Sequence, residues 1–152
     1  MSAEILILSI GKATKEYRPL MDHWLKMIKY PITQKELSSR KSNLSHEAQK
    51  IEEANIIKQS ILKNSFVIAL DPLGATMNSE KFSTCIERNF EAARNITFII
   101  GGAYGLAKDL VSSADMTLSL SAMTMPHLLA KLMLIEQIYR AQTIIENHPY
   151  HK

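Results

Sequence analysis

A chain of 152 residues, 46% hydrophobic and 22% charged, is sized and balanced for one globular domain spanning residues 1–152, and no run approaches the roughly 18 apolar residues of a membrane span. The formal net charge of +3 suits an acidic partner such as RNA without demanding one, and the basic residues are expected to pool on one face or across two subunits. A single cysteine, Cys85, excludes an internal disulfide and reads as a buried thiol; residues 1–11 carry no basic start or small-residue cleavage site, so a cytoplasmic protein is expected.

The run EILILSI at 4–10 is nearly continuous in apolar residues, as a strand covered on both faces requires, and Gly11-Lys12 makes the turn after it. Tyr17, Leu20, Met21, Trp24, Leu25 and Ile28 recur at three- and four-residue spacing, which predicts an amphipathic helix over 17–30. Pro19 is tolerated in its first turn and Pro31 ends it. Tyr17 and Trp24 on that face read as packing, not as a platform for stacked bases. A second strand is expected over 32–37, followed by the polar, basic connection SSRKSNLS at 38–45, a candidate RNA contact. Ser45 is a plausible N-cap for a helix over 48–62 that turns Ile51, Ala54, Ile57, Ile61 and Leu62 inward. A third strand over 66–70 ends at the loop Asp71-Pro72-Leu73-Gly74, and Ser79 caps a helix running to about Arg94.

A fourth strand, 96–100, stops at Gly101-Gly102 with a third glycine at Gly105, and reads as a buried strand turning sharply into a helix. A fifth, 116–120, ends in the small, polar loop Ser121-Ala122-Met123-Thr124-Met125 before Pro126 opens a long helix. There Leu129, Leu132, Met133, Ile135 and Ile138 form a broad stripe, suited to burial against both the sheet and a partner subunit. Strand and helix thus alternate five times, which predicts an α/β fold with a mostly parallel sheet and helices on both faces. The loops at 70–74, 101–105 and 120–125 then converge at the carboxyl edge of the sheet, where such folds bind ligands. Neither G-x-G-x-x-G nor G-x-x-x-x-G-K-[ST] occurs, so a nucleoside without a phosphate cradle fits better than a nucleotide.

The succession IIGGAYGL, LSLSAMTMPH, EQIYRA and the terminal NHPYHK resembles the RlmH family of SPOUT-class RNA methyltransferases, whose members are similar in length. The resemblance implies an α/β trefoil knot, in which the last helix threads through a loop, and a homodimer in which two knots pack together. It implies S-adenosyl-L-methionine as cofactor, held by Leu70, Gly101, Leu120, Ser121, Ala122, Met123, Thr124 and Met125, mostly through the backbone. Small residues suit these places because they let the main chain approach a ligand. Ser121 and Thr124 read equally well as helix caps. The implied reaction is methylation of N3 of a pseudouridine in the helix 69 loop of 23S ribosomal RNA, in the large subunit or the assembled 70S ribosome.

That nitrogen must lose its proton to attack, so alignment and proton removal are the tasks left to the protein. His127, His148, Tyr150 and His151 are the candidates for positioning or proton removal, with Arg140 and Lys131 for phosphate or carbonyl contact. His127 behind Pro126 also reads as a structural helix-start residue, and His148 and His151 as a solvated terminus. His148-Pro149-Tyr150-His151 is short of ligands for a metal, and none is expected. Three departures from the family's usual pattern bear on RNA contact: Lys131 in place of arginine, Ala103-Tyr104 in place of proline or serine followed by an acidic or amide residue, and Ala75 in place of lysine. The rival readings are a non-catalytic ribosome- or RNA-binding module of the same fold and a nucleotide-binding enzyme of ordinary doubly wound topology.

Overall fold

The computed structural model describes residues 3–39 and 41–152; Arg40, part of the basic connection expected to touch RNA, lies outside them. Among the described residues, strands β1 (Ile5–Ile10), β2 (Ile32–Leu37), β3 (Ser65–Ala75), β4 (Asn95–Ile100) and β5 (Met116–Leu118) alternate with helices α1 (Arg18–Leu25), α2 (His46–Ser60), α3 (Ser79–Glu91), α4 (Lys108–Ser113) and α5 (His127–Ile145). The strands lie in the order β2-β1-β4-β3-β5 and every pairing is parallel, as the alternation predicts. Parallel sheets need both faces covered, and the pattern of the central strands meets that need. Ile5 and Ile7 of β1 join Phe98, Met21, Ile86 and Ile138 in the core under α1, α3 and α5, while Leu6 and Leu8 join Ile99, Ile57 and Leu110 under α2 and α4. Among the described residues no helix is long and apolar enough to cross a membrane.

Several expected boundaries shift for identifiable reasons. The helix expected over 17–30 stops at Leu25. Beyond it the chain gives its backbone to α5: Gln142 Oε1 accepts the Lys29 N–H at 2.6 Å and Gln142 Nε2 donates to the Met27 carbonyl at 3.2 Å. Ser45 does cap α2, its Oγ accepting the Ala48 N–H at 3.2 Å, but Ile51 is 59% exposed. Glu53, Ala54 and Ile57 face the sheet instead, and at 100° per residue Ile51 points about 110° away from the centre of that face. Asn78, not Ser79, caps α3, accepting the Lys81 N–H at 2.8 Å. Cys85 is half-buried, and burial raises its thiol pKa, which keeps it a thiol.

β3 runs on to Ala75, where the sequence suggested a stop at Leu70. Leu70 and Ala75 both pair with Leu118, so residues 71–74 loop out of the ladder as a bulge. A Cβ on Gly74 would lie 2.7 Å from the Thr117 carbonyl, so only glycine closes this bulge against β5.

The stripe on α5 also differs from expectation. Leu134, Ile135, Ile138 and Ala141 are buried, and so are Lys131 and Gln142. Lys131, read from sequence as a contact for phosphate or carbonyl, is 1% exposed. Its Nζ donates to Ser9 Oγ at 2.9 Å and lies 3.7 Å from Glu36 Oε2. Burial drives its pKa down against the opposing pull of Glu36. Glu36 is itself held by Arg18 at 2.9 Å and by the Ala13 N–H, so this ammonium is an internal strut from α5 to β1 and β2.

Candidate functional site

Three strand ends meet as the sequence suggests. The bulge of β3, the loop after β4 and the loop between β5 and α5 enclose a cavity of about 610 Å³ at the carboxyl edge of the sheet. Leu70, Gly101, Leu120, Ser121, Met123, Thr124 and Met125 all line it, joined by Asp71, Pro72, Gly102, Ala103, His127 and Ala130. Ala122, the remaining expected cofactor contact, is exposed on the same loop and does not line the cavity. A concave, mainly apolar pocket with backbone from three loops suits a nucleoside-sized ligand.

The loops are shaped by local rules. After β4 the chain does not turn at once into a helix: Gly102 and Gly105 bridge in antiparallel fashion, and α4 begins only at Lys108. Gly105 has φ +79°, which favours glycine, and a Cβ on Gly101 would lie 2.5 Å from the Gly105 carbonyl carbon. Gly101 is thus required first by the loop's own closure. In the 119–126 loop, Ser119 Oγ donates to the Ser121 carbonyl at 2.8 Å, and Ser121 Oγ accepts the Met123 N–H at 3.0 Å. The Ser121 hydroxyl therefore shapes the loop and caps no helix. α5 starts at His127, behind Pro126 at the N-cap position and without a side-chain cap, so Thr124 does not cap it either.

Of the six residues expected to act on or contact the substrate, the structure brings only His127 to the cavity. Its Nε2 would lie 3.9 Å from a Cβ on Gly11, over the end of β1, and its ring also borders an adjoining hollow of about 400 Å³ formed with His46, Gln49, Glu53 and Tyr104. Neither His46 nor Glu53 carries a signal in the sequence, because a histidine and a glutamate on a helix look like solvent-facing residues.

Arg140, His148, Tyr150 and His151 form a separate cluster around Glu136, midway along α5. Arg140 NH2 and Nε donate to Glu136 Oε1 at 2.7 and 3.0 Å, and the Tyr150 hydroxyl donates to the same oxygen at 2.9 Å. The guanidinium lies over the Tyr150 ring, 4.8 Å from its centroid, and meets His151 Nδ1 at 3.1 Å. His151 Nε2 reaches Glu80 Oε1 at 2.9 Å, and His148 Nδ1 accepts the Tyr150 N–H at 3.2 Å. The hydrogen bonds that Arg140 donates to Glu136 raise the Arg140 pKa further, while burial and Glu136 raise that of Tyr150. Thirteen residues of helix separate Arg140 from His127, about 20 Å at 1.5 Å per residue. Within one subunit the tail folds back along α5 onto Glu136, nine residues or about 13 Å of helix from His127, and none of its residues lines the cavity.

Comparison with known proteins identifies the family and the fold. Residues 3–151 match the family described as "Predicted SPOUT methyltransferase". Among curated relatives, the ribosomal RNA large subunit methyltransferase H of Syntrophotalea carbinolica is 40% identical over 154 residues, covering 97% of this chain and 98% of that protein. The protein of the same name from Nitratiruptor sp. is 41% identical over 154 residues, with 97% and 98% covered. Among solved structures, a probable methylase family protein from Haemophilus influenzae aligns with TM-score 0.59 at 13% identity, covering 100% of this chain and 72% of that one. A probable methyltransferase from Bordetella pertussis aligns with TM-score 0.61 at 9% identity, covering 91% and 96%. The two structures speak to the fold.

Proposed function

The chain belongs to the SPOUT methyltransferase family, and on that premise we propose that it is a ribosomal RNA large subunit methyltransferase that transfers a methyl group from S-adenosyl-L-methionine to N3 of a pseudouridine in the helix 69 loop of 23S ribosomal RNA. The observation that carries this reading is the cavity at the sheet's carboxyl edge, lined by seven of the eight residues expected to hold the cofactor. Its apolar lining and glycine-tightened loops fit adenine and ribose, and no phosphate motif competes. The cofactor, when bound, supplies a methyl group activated by a sulfonium. Leu70, Gly101 and the 120–125 loop hold and orient it, and His127 stands at the boundary with the substrate side.

The remaining site residues are proposed to act across a homodimer. Arg140, His148, Tyr150 and His151 are ordered as a unit around Glu136, about 13 Å of helix from His127, and none of them lines the cavity of their own subunit, so a two-fold partner is the natural recipient of the tail. Leu73 and Met123, 95% and 78% exposed beside the cavity, are apolar surface that such a partner would cover. Tyr150, its pKa raised by burial, stays protonated and donates a hydrogen bond; Arg140 keeps its charge for RNA contact. The proton acceptor then falls to a histidine of the tail or to His127. The fold carries the trefoil knot of its family, the chain forms one domain, and it works in the cytoplasm, where ribosomes are.

The test is methyl transfer from labelled S-adenosyl-L-methionine to ribosomes lacking the modification, with modified ribosomes as control and mass mapping of the product nucleotide. Label on one pseudouridine of the helix 69 loop is expected. Cofactor binding without label on that loop refutes the substrate, and RNA binding without cofactor binding favours a non-catalytic module of the same fold.

A further inference from the structure

We propose that the hollow beside the donor cavity is the pocket for the target base and that Glu53 accepts the N1–H that pseudouridine has and uridine lacks; this rests on the pseudouridine methyltransferase reading above. The two hollows are contiguous, sharing Gly102, Ala103 and His127, so a base seated in the second would abut a methyl group presented from the first. Enzymes that work on a base take it out of the stack, hold it between flat side chains and read its edge by hydrogen bonds.

Here the flat surface is a ledge rather than a clamp, and an edge-reading group lies behind it. His46 and Tyr104 stack at the mouth, their centroids 3.9 Å apart and their planes 23° from parallel. Both rings are exposed, Tyr104 by 51%, so the pair offers an aromatic ledge that no residue of the core claims. Deeper in, Glu53 is 8% exposed. Its Oε2 accepts the Gln49 amide N–H at 2.9 Å, while among the described residues its Oε1 takes part in no hydrogen bond and sits 3.7 Å from where a Gly102 Cβ would be. A carboxylate on a side chain buried to this extent, with one oxygen free beside a hollow, selects an N–H donor and repels phosphate. Pseudouridine is joined to ribose through carbon, so its N1 keeps a hydrogen while N3 remains for methylation; in uridine N1 carries the ribose. A pocket that hydrogen-bonds an N–H discriminates strongly against the analogue without it.

The test compares ribosomes carrying pseudouridine or uridine at the target position, using Glu53→Gln and Tyr104→Ala. In Glu53→Gln the Gln49 amide holds the remaining carbonyl oxygen and turns the new NH2 toward the base, donor against donor. At least a tenfold rise in KM for pseudouridine ribosomes and at least a tenfold loss of preference over uridine are expected, with S-adenosyl-L-methionine affinity within twofold of wild type. Tyr104→Ala, at an exposed position that folding does not need, should raise KM about fivefold or more for both ribosomes, because stacking tolerates either base. Weakened cofactor binding in Glu53→Gln would assign the hollow to the donor, and an unmoved preference would remove Glu53 from recognition; either overturns the proposal. Wild-type protein that methylates neither ribosome overturns the underlying reading, and this proposal with it.

Discussion

The placement of the tail in the partner's site can be tested with two lesions that are each inactive alone. Ala130→Trp puts an indole into the donor cavity that Ala130 lines. Removal of Tyr150, His151 and Lys152 takes away the hydrogen bond to Glu136, the ring beneath Arg140 and the contact with Glu80. Each parent should lose on the order of 10² or more in turnover, the range for a positioned proton-transfer group. If the tail serves the partner, a mixed dimer has one sound cavity facing one sound tail, and one site damaged twice. Random reassociation of equal amounts makes half the dimers mixed, so about a quarter of all sites, and about a quarter of wild-type turnover, should return. If the tail served its own subunit, every site would carry one lesion and nothing would return. Methyl transfer to unmodified ribosomes after co-refolding is the assay. Turnover no higher than that of the parents refutes the trans arrangement.

Other expectations follow from single contacts. Gly101→Ala would bring a Cβ within 2.5 Å of the Gly105 backbone, which should cost about 1–3 kcal/mol in a thermal melt and weaken cofactor binding at least tenfold; unchanged binding by calorimetry would show that the loop yields freely. Ser45→Ala removes the only side-chain acceptor at the start of α2 among the described residues and should cost about 1 kcal/mol in urea unfolding, with His46 and the aromatic ledge loosened alongside. Burial pulls the Glu36 pKa up, but hydrogen bonds from Arg18 and the Ala13 N–H, with the charges of Lys131 and Arg18, leave it below the ordinary carboxylate value. Such a group contributes stability that is complete above its unfolded pKa and is lost as pH falls through the lower folded one. The loss of stability on acidification toward pH 3 should therefore be smaller in Glu36→Gln than in wild type, and equal slopes would contradict the sign.

The order of elements was readable because parallel strands buried on both faces leave continuous apolar runs, and β1 and β4 are such runs. The boundaries were less readable where a distant partner overrides local preference. Nothing between Leu25 and Pro31 announces that α1 must end; Gln142, more than a hundred residues later, takes the backbone groups that would have continued it. The Ile51 position failed for a related reason. Three-residue spacing from Ala54 admits it to an inward stripe, yet Glu53 occupies that side, and a buried carboxylate has no signature in a hydrophobic pattern.

The site divides along the same line. Small residues at strand ends advertise a close backbone approach, so the three loops that line the cavity could be located from composition and order, while the eight expected cofactor contacts rest on the family resemblance; seven of them line the cavity and Ala122 is turned outward. Charged and aromatic residues carry no such address. Lys131 and Arg140 stand nine residues apart on one helix and looked interchangeable as RNA contacts. The fold makes one a buried strut bonded to Ser9 and the other a partly exposed clamp on Tyr150. A lysine can serve as the strut because Ser9 and Glu36 face it from β1 and β2, two strands far from α5 in sequence but adjacent to it in space. An arginine there would need room for a planar fork beside the Arg18 guanidinium that already holds Glu36. The exchange of arginine for lysine at this position therefore changes the packing of α5 on the sheet, and it reaches RNA only through the orientation that α5 gives to His127 at one end and the tail at the other.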